Sequence, residues 1–64
     1  MKEHDAVTVK RDFGPWPIIP AGTRGVIVHE YPDGRHVEVE LDLNGYTKVI
    51  TFHRTNLLET SNQL

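Results

Sequence analysis

Ile18-Ile19-Pro20-Ala21-Gly22-Thr23-Arg24-Gly25-Val26-Ile27-Val28 is the stretch that decides how this chain folds. A proline and two glycines bracket a tight turn, and a β-branched run follows at once. Proline presets φ, and glycine reaches backbone conformations closed to other residues, so together they mark a reversal of the chain. The β-branched run after it predicts a strand that enters the core. A glycine-bearing turn holds phosphate when a helix N-terminus follows, because free amides and the helix dipole then face the anion. Here a strand follows. The expected task of the turn is to reverse the backbone, with Gly22 or Gly25 supplying the freedom to do so and Arg24 as its one outward-reaching charge.

Upstream, Ala6-Val7-Thr8-Val9-Lys10 alternates, with Val7 and Val9 on one face, as a half-buried strand does. Residues 12–23 then carry three prolines and two glycines. Proline lacks the donor that a central strand needs, so this segment is a long loop. It is apolar for a loop, and Trp16, Ile18 or Ile19 is expected to fold back over one mouth of the core. Downstream, residues 25–31 form a second strand. Pro32-Asp33-Gly34-Arg35 is a turn, because Asp33 and Gly34 tolerate positive φ. His36-Val37-Glu38-Val39-Glu40-Leu41-Asp42-Leu43 is the clearest strand: Val37, Val39, Leu41 and Leu43 share one face, and His36, Glu38, Glu40 and Asp42 share the other. Asn44-Gly45 is a two-residue hairpin signal. It sets Leu43 opposite Tyr46 and Leu41 opposite Lys48, from where Lys48 reaches the acidic residues only diagonally. Residues 46–52 return as a fourth strand, residues 53–56 make a polar connector of one 3₁₀ turn, and residues 57–59 close the fold. Residues 60–64 are expected to fray. No stretch carries a 3.6-residue apolar stripe, so the fold class is all-β with five short strands.

The totals agree with a single domain over residues 1–64, with its core in 4–59. A chain of 64 residues buries only about 60% of its unfolded surface, so self-association is a natural supplement to its core. The absence of cysteine excludes disulfides, thiolate zinc sites and a cysteine nucleophile. A net charge of −2 provides no strong field for nucleic acid. Met1-Lys2-Glu3-His4-Asp5 has no apolar signal-peptide region, and no run of 18 apolar residues exists to span a membrane. The expected setting is cytoplasmic, with no membrane involvement.

Strand, long loop, three-strand meander, one-turn connector and short last strand is the order of a small SH3-like barrel. A barrel removes the unpaired edges of a lone sheet. An OB-fold would need a helix between its third and fourth strands, and nothing here supplies one. The segments His4-Asp5-Ala6-Val7-Thr8-Val9, Ile19-Pro20-Ala21-Gly22-Thr23-Arg24-Gly25-Val26-Ile27-Val28, Val37-Glu38-Val39-Glu40-Leu41 and Thr51-Phe52-His53-Arg54-Thr55-Asn56-Leu57 together resemble a family of short bacterial proteins. That family is catalogued as a domain of unknown function and expected to form SH3-like barrels. The resemblance covers roughly residues 4–58 and implies the fold without implying an activity. Gly25-Val26-Ile27-Val28 is also similar to the core of the KOW motif of ribosomal and transcription-elongation proteins, which implies nucleic-acid binding. Glu38, Glu40 and Asp42 along one strand depart from that pattern.

Four histidines raise the question of a metal, but no His-x-His pair and no convergent set of three ligands stands in the sequence. Ser61 is the single serine and lies in the tail, and His53 with Arg54 lacks a nucleophile, so no catalytic, metal or cofactor site is expected. Glu38, Glu40 and Asp42 form either an ordinary solvated face or a docking stripe for a basic partner. Trp16, between two prolines, caps the core or lines a groove for an extended ligand. Trp16, Arg24, Tyr31, Glu38, Glu40 and Asp42 are therefore the candidate partner-binding residues. The expected function is a non-catalytic protein-interaction or structural module that docks a partner or itself, such as an accessory or immunity-like protein. The alternative is a KOW-like nucleic-acid-binding module with Lys10, Arg11, Arg24, Arg35 and Arg54 on phosphates.

Overall fold

The computed structural model of the chain describes residues 2–15 and 18–59. Five strands, β1 (Ala6–Val9), β2 (Arg24–Glu30), β3 (His36–Leu43), β4 (Tyr46–His53) and β5 (Leu57–Glu59), form one antiparallel sheet in the order β4-β3-β2-β1-β5. The all-β class, the five strands and the long loop between the first two are as the sequence predicts, and strand ends differ from expectation by a residue at most. Trp16 and residues 60–64 lie outside the described residues. Among those residues no helix is long and apolar enough to cross a membrane.

Alternation along the strands builds the core. Val7 and Val9 of β1, Ile27 of β2, Val37, Val39 and Leu41 of β3, Phe52 of β4 and Leu57 of β5 all turn to one side and are buried there. The sheet curls around this cluster, yet its ladders do not close. β5 has three residues, and all of them pair with β1, so among the described residues β4 and β5 remain the two edges. The expected SH3-like barrel is therefore not closed by hydrogen bonds among the described residues, and side chains rather than ladders bridge its gap. Phe52 and Leu57, from the two edges, belong to the same buried cluster.

The loop between β1 and β2 is a small structure of its own. Phe13 and Ile19 exchange both backbone hydrogen bonds at 2.8 Å. The Asp12 carboxylate accepts the Ala21 N–H at 2.9 Å, and the Gly22 N–H donates to the Val9 carbonyl at 2.8 Å. Ile19 is thereby buried and the Phe13 ring is set 4.5 Å from that of Phe52, whereas Ile18 stays outside. Of the residues expected to fold back over the core, Ile19 does so. At the other end of the molecule, Arg54 of the 3₁₀ turn (Arg54–Asn56) donates from its backbone to the Arg35 carbonyl and from its guanidinium to the Gly34 carbonyl, at 2.9 and 2.7 Å. This pins the last connector to the β2–β3 turn.

The two glycines of the opening turn have separate tasks. Gly22 has φ +92° with open space where a Cβ would stand, and the Thr23 N–H closes the turn on the Pro20 carbonyl. Gly25 is buried on β2, where a Cβ would come within 2.7 Å of both the Glu40 carbonyl oxygen and the Val39 Cγ1. Gly22→Asn meets no neighbouring atom but must hold left-handed backbone, which Asn tolerates better than most residues, so a loss smaller than that of Gly25→Ala is expected. Gly25→Ala forces β2 away from β3 and is expected to cost about 1–3 kcal/mol, as overpacking does. Urea denaturation distinguishes them: a lowered midpoint at unchanged slope for Gly25→Ala, and a smaller shift for Gly22→Asn.

Candidate protein-interaction surface

β3 lies between β2 and β4, so the residues it does not bury form the middle of an exposed face. Val37, Val39 and Leu41 point inward, and His36, Glu38, Glu40 and Asp42 point outward. The ladders place each acid between known neighbours. Glu38 lies between His29 and Thr51, Glu40 between Val26 and Val49, and Asp42 beside Thr47. Val26 and Val49 are 40% and 51% exposed, so Glu40 is flanked by uncovered aliphatic surface on both sides.

Glu38 is held in place. The Tyr31 hydroxyl donates to its carboxylate at 3.0 Å and lies 3.3 Å from the Thr51 hydroxyl. Tyr31 reaches it because β2 carries a bulge. The register passes from Ile27 opposite Val39 to His29 opposite Glu38, which leaves Val28 without a counterpart. Beyond Tyr31 a row of rings continues: His29 and Tyr31 at 5.3 Å between centroids, Tyr31 and His36 at 6.2 Å, and His36 and His53 at 5.2 Å, all edge to face. Among the described residues no three His, Asp or Glu side chains are placed to hold a metal ion together.

The turn that starts β3 is fastened by Asp33. One carboxylate oxygen accepts the backbone N–H groups of Arg35 and His36 at 2.7 and 3.1 Å, and the other lies 2.7 Å from the His36 Nδ1. The Arg35 N–H, then the His36 ring, hold the Asp33 carboxyl down at about 2, against an ordinary 3.8. Proximity of Asp33 to Gly34 in sequence suggests a turn, but the grip on His36 depends on a side-chain rotamer that spacing does not reveal.

Five of the six predicted partner-binding residues meet on this one face or its rim. Arg24 opens β2 and borders a shallow depression of about 310 Å³ together with Val26, Glu40 and Asp42. Tyr31, Glu38, Glu40 and Asp42 follow along β3 toward the opposite end. Trp16, the sixth, lies outside the described residues. Lys48 is absent from the face altogether. Its register opposite Leu41 turns it to the inner side, where it borders a groove of about 280 Å³ with Phe13, Pro15, Ile18, Tyr46 and Ile50. The diagonal approach to the acids that its sequence position allows is not made, and no described ion pair involves Glu38, Glu40 or Asp42. The sequence reading did not foresee the flanking valines. Their signal was alternation itself, since Val26 and Val49 stand out of phase with the buried positions of their strands.

No family model, curated protein or solved structure matches this chain.

The Asp33 carboxyl titrates lower in the folded chain than in the unfolded one. Its stabilisation is therefore complete above the unfolded value near 3.8 and is lost as pH falls through about 2. Thermal melts across that window are expected to show a progressive loss of stability in the wild type. Asp33→Asn is expected to be less stable at neutral pH and to lack this part of the acid transition.

Proposed function

We propose that this chain is a non-catalytic protein-interaction module that docks a basic partner surface on the outer face of its sheet. The observation that carries the reading is the stripe Glu38, Glu40 and Asp42, without a described cationic partner and flanked by exposed Val26 and Val49. Charge on such a face steers encounter and selects partners, while the aliphatic flanks supply area that gains from leaving water. β3 makes the surface stiff, being paired along both sides, and Tyr31 fixes one of its carboxylates. Such a module fits a small cytoplasmic accessory protein, of which an immunity-like protein is one form.

Nucleic-acid binding has less to support it. Arg24 opens β2, Arg35 lies in the turn beyond its far end, and the Arg54 guanidinium is engaged at the Gly34 carbonyl. A phosphate backbone laid across the sheet would meet the acidic stripe.

The combined variant Glu38→Gln, Glu40→Gln, Asp42→Asn keeps side-chain size and removes the charge. A partner retained by the wild type at low salt is expected to be lost by this variant, with a fall of about ten-fold or more in association rate, and to be released from the wild type as salt rises. Identical capture by both proteins, or retention that ignores salt, would overturn the reading. A mobility shift with RNA or DNA at low salt would favour the KOW-like alternative instead.

A further inference from the structure

The two edges of the sheet are unequal. β5 is three residues long, whereas β4 has eight, all of them paired with β3 without a break in register. Long, unbroken edges are templates for another strand, and proteins that stay monomeric blunt them with proline, bulges or several charges. β4 has no proline, no bulge and one charge, Lys48.

The direction of its backbone groups follows from the neighbouring ladder. The His36 carbonyl accepts the Tyr31 N–H, so the even-numbered residues of β3 bond toward β2 and the odd-numbered ones toward β4. On β4 the partners of those odd residues are Tyr46, Lys48, Ile50 and Phe52. Thr47, Val49 and Thr51 consequently direct their N–H and C=O groups away from the sheet, and no described backbone group outside the ladders meets them.

We propose that the chain forms a two-fold symmetric homodimer by antiparallel pairing of β4 with β4 of a second copy, the axis passing beside Val49. This register sets Val49 against Val49 of the second copy, Thr47 against its Thr51, Lys48 against its Ile50, and Tyr46 against its Phe52. The strand is complementary to itself in this way. Threonine meets threonine, the most exposed aliphatic residue of β4 is covered, and the single charge never faces its own copy. Sliding the axis to Lys48 would place two ammonium groups directly opposite one another, which destabilises a sheet pair. Sliding it to Ile50 would centre the joint on a residue already half-buried and leave Val49 against threonine.

The rest of the molecule favours a second copy over an unrelated strand. On the inner side, Tyr46 and Ile18 are 58% and 55% exposed beside the groove that Lys48 and Ile50 border. In this register Ile50 of the second copy lies beside Lys48 on the open flank of that groove, and the pairing is reciprocal. On the outer side the acidic stripes do not collide. Glu40 is one strand back from the joint in each copy, and three strand spacings, about 14 Å, separate the two. That exceeds the screening length of about 8 Å at physiological salt. A chain of this size gains core by association, since it buries little alone.

Sedimentation equilibrium on the full chain is expected to give twice the 7.3 kDa chain mass. Val49→Pro removes an outward-facing donor that the β3 ladder does not use, and is expected to give the monomer mass with an unchanged circular dichroism spectrum. Val49→Lys, which places like charges together at the axis, makes the same test should the proline variant fail to fold. Val26→Lys, on the outer face away from the joint, is expected to stay dimeric. Val49→Cys is expected to form a disulfide-linked dimer on oxidation. A monomeric wild type, a dimer that survives Val49→Lys, or a Val49→Cys protein that does not cross-link would each overturn the proposal. The outer-face reading shares Val49 with this joint, and the two are told apart by readout: Glu38→Gln, Glu40→Gln, Asp42→Asn is expected to lose the basic partner while keeping the dimer mass, and Val49→Lys to lose the dimer mass while keeping the acidic stripe.

Discussion

A strand hydrogen-bonded on both sides can neither rotate nor slide without breaking two ladders, and β3 is such a strand. Its eight residues are paired to β4 along their whole length and to β2 over most of it. Because side chains alternate, this restraint divides the molecule in two. Val37, Val39 and Leu41 become the floor on which β1, β4, β5 and the long loop lay their own apolar residues. His36, Glu38, Glu40 and Asp42 become the middle of a surface that the chain itself does not cover. Gly25 belongs to the same restraint. β2 approaches β3 closely enough there that a methyl group would strike the Glu40 carbonyl.

The division explains why charge accumulates on one side. Lys48 is the only basic residue on β4 and the nearest in the hairpin to Glu40 and Asp42, yet the two-residue turn puts it in phase with Leu41. A cation diagonally across the strand pair is thereby sent to the opposite surface. The face keeps its negative stripe, and the inner groove gains an ammonium at its edge. Turn length, through register, has set the electrostatics of both surfaces.

Much of this was readable from the residues. Strand boundaries, the alternation of β3, the register of the Asn44-Gly45 hairpin and the 3₁₀ connector all follow from short-range rules of period and turn chemistry. Five of the six candidate residues also came to one face or its rim, because alternation fixes which residues of a strand are neighbours. Three features were not readable, each for a physical reason. The failure of the ladders to close depends on where β5 ends relative to β4, a contact between distant parts of the chain. The separate roles of Gly22 and Gly25 depend on whether a backbone is turned or merely crowded, and both conditions select the same residue. The grips of Asp33 on His36 and Tyr31 on Glu38 depend on rotamers.

The bulge at Val28 has a consequence for how this strand can change over evolutionary time. Before it, Gly25, Val26 and Ile27 are in one phase with β3, and after it His29 and Glu30 are in the next. Removing Val28 would merge the two phases into an unbroken ladder and leave every other side chain on its present face. Removing Ile27 or His29 would let Val28 take the vacated place, inward or outward, and close the ladder in the same way, whereas removing Gly25 would bring Arg24 to an inward position opposite Leu41. Loss of a single codon is therefore absorbed at the bulge and beside it, and the strand can shorten there while the surface built on β3 stays as it is.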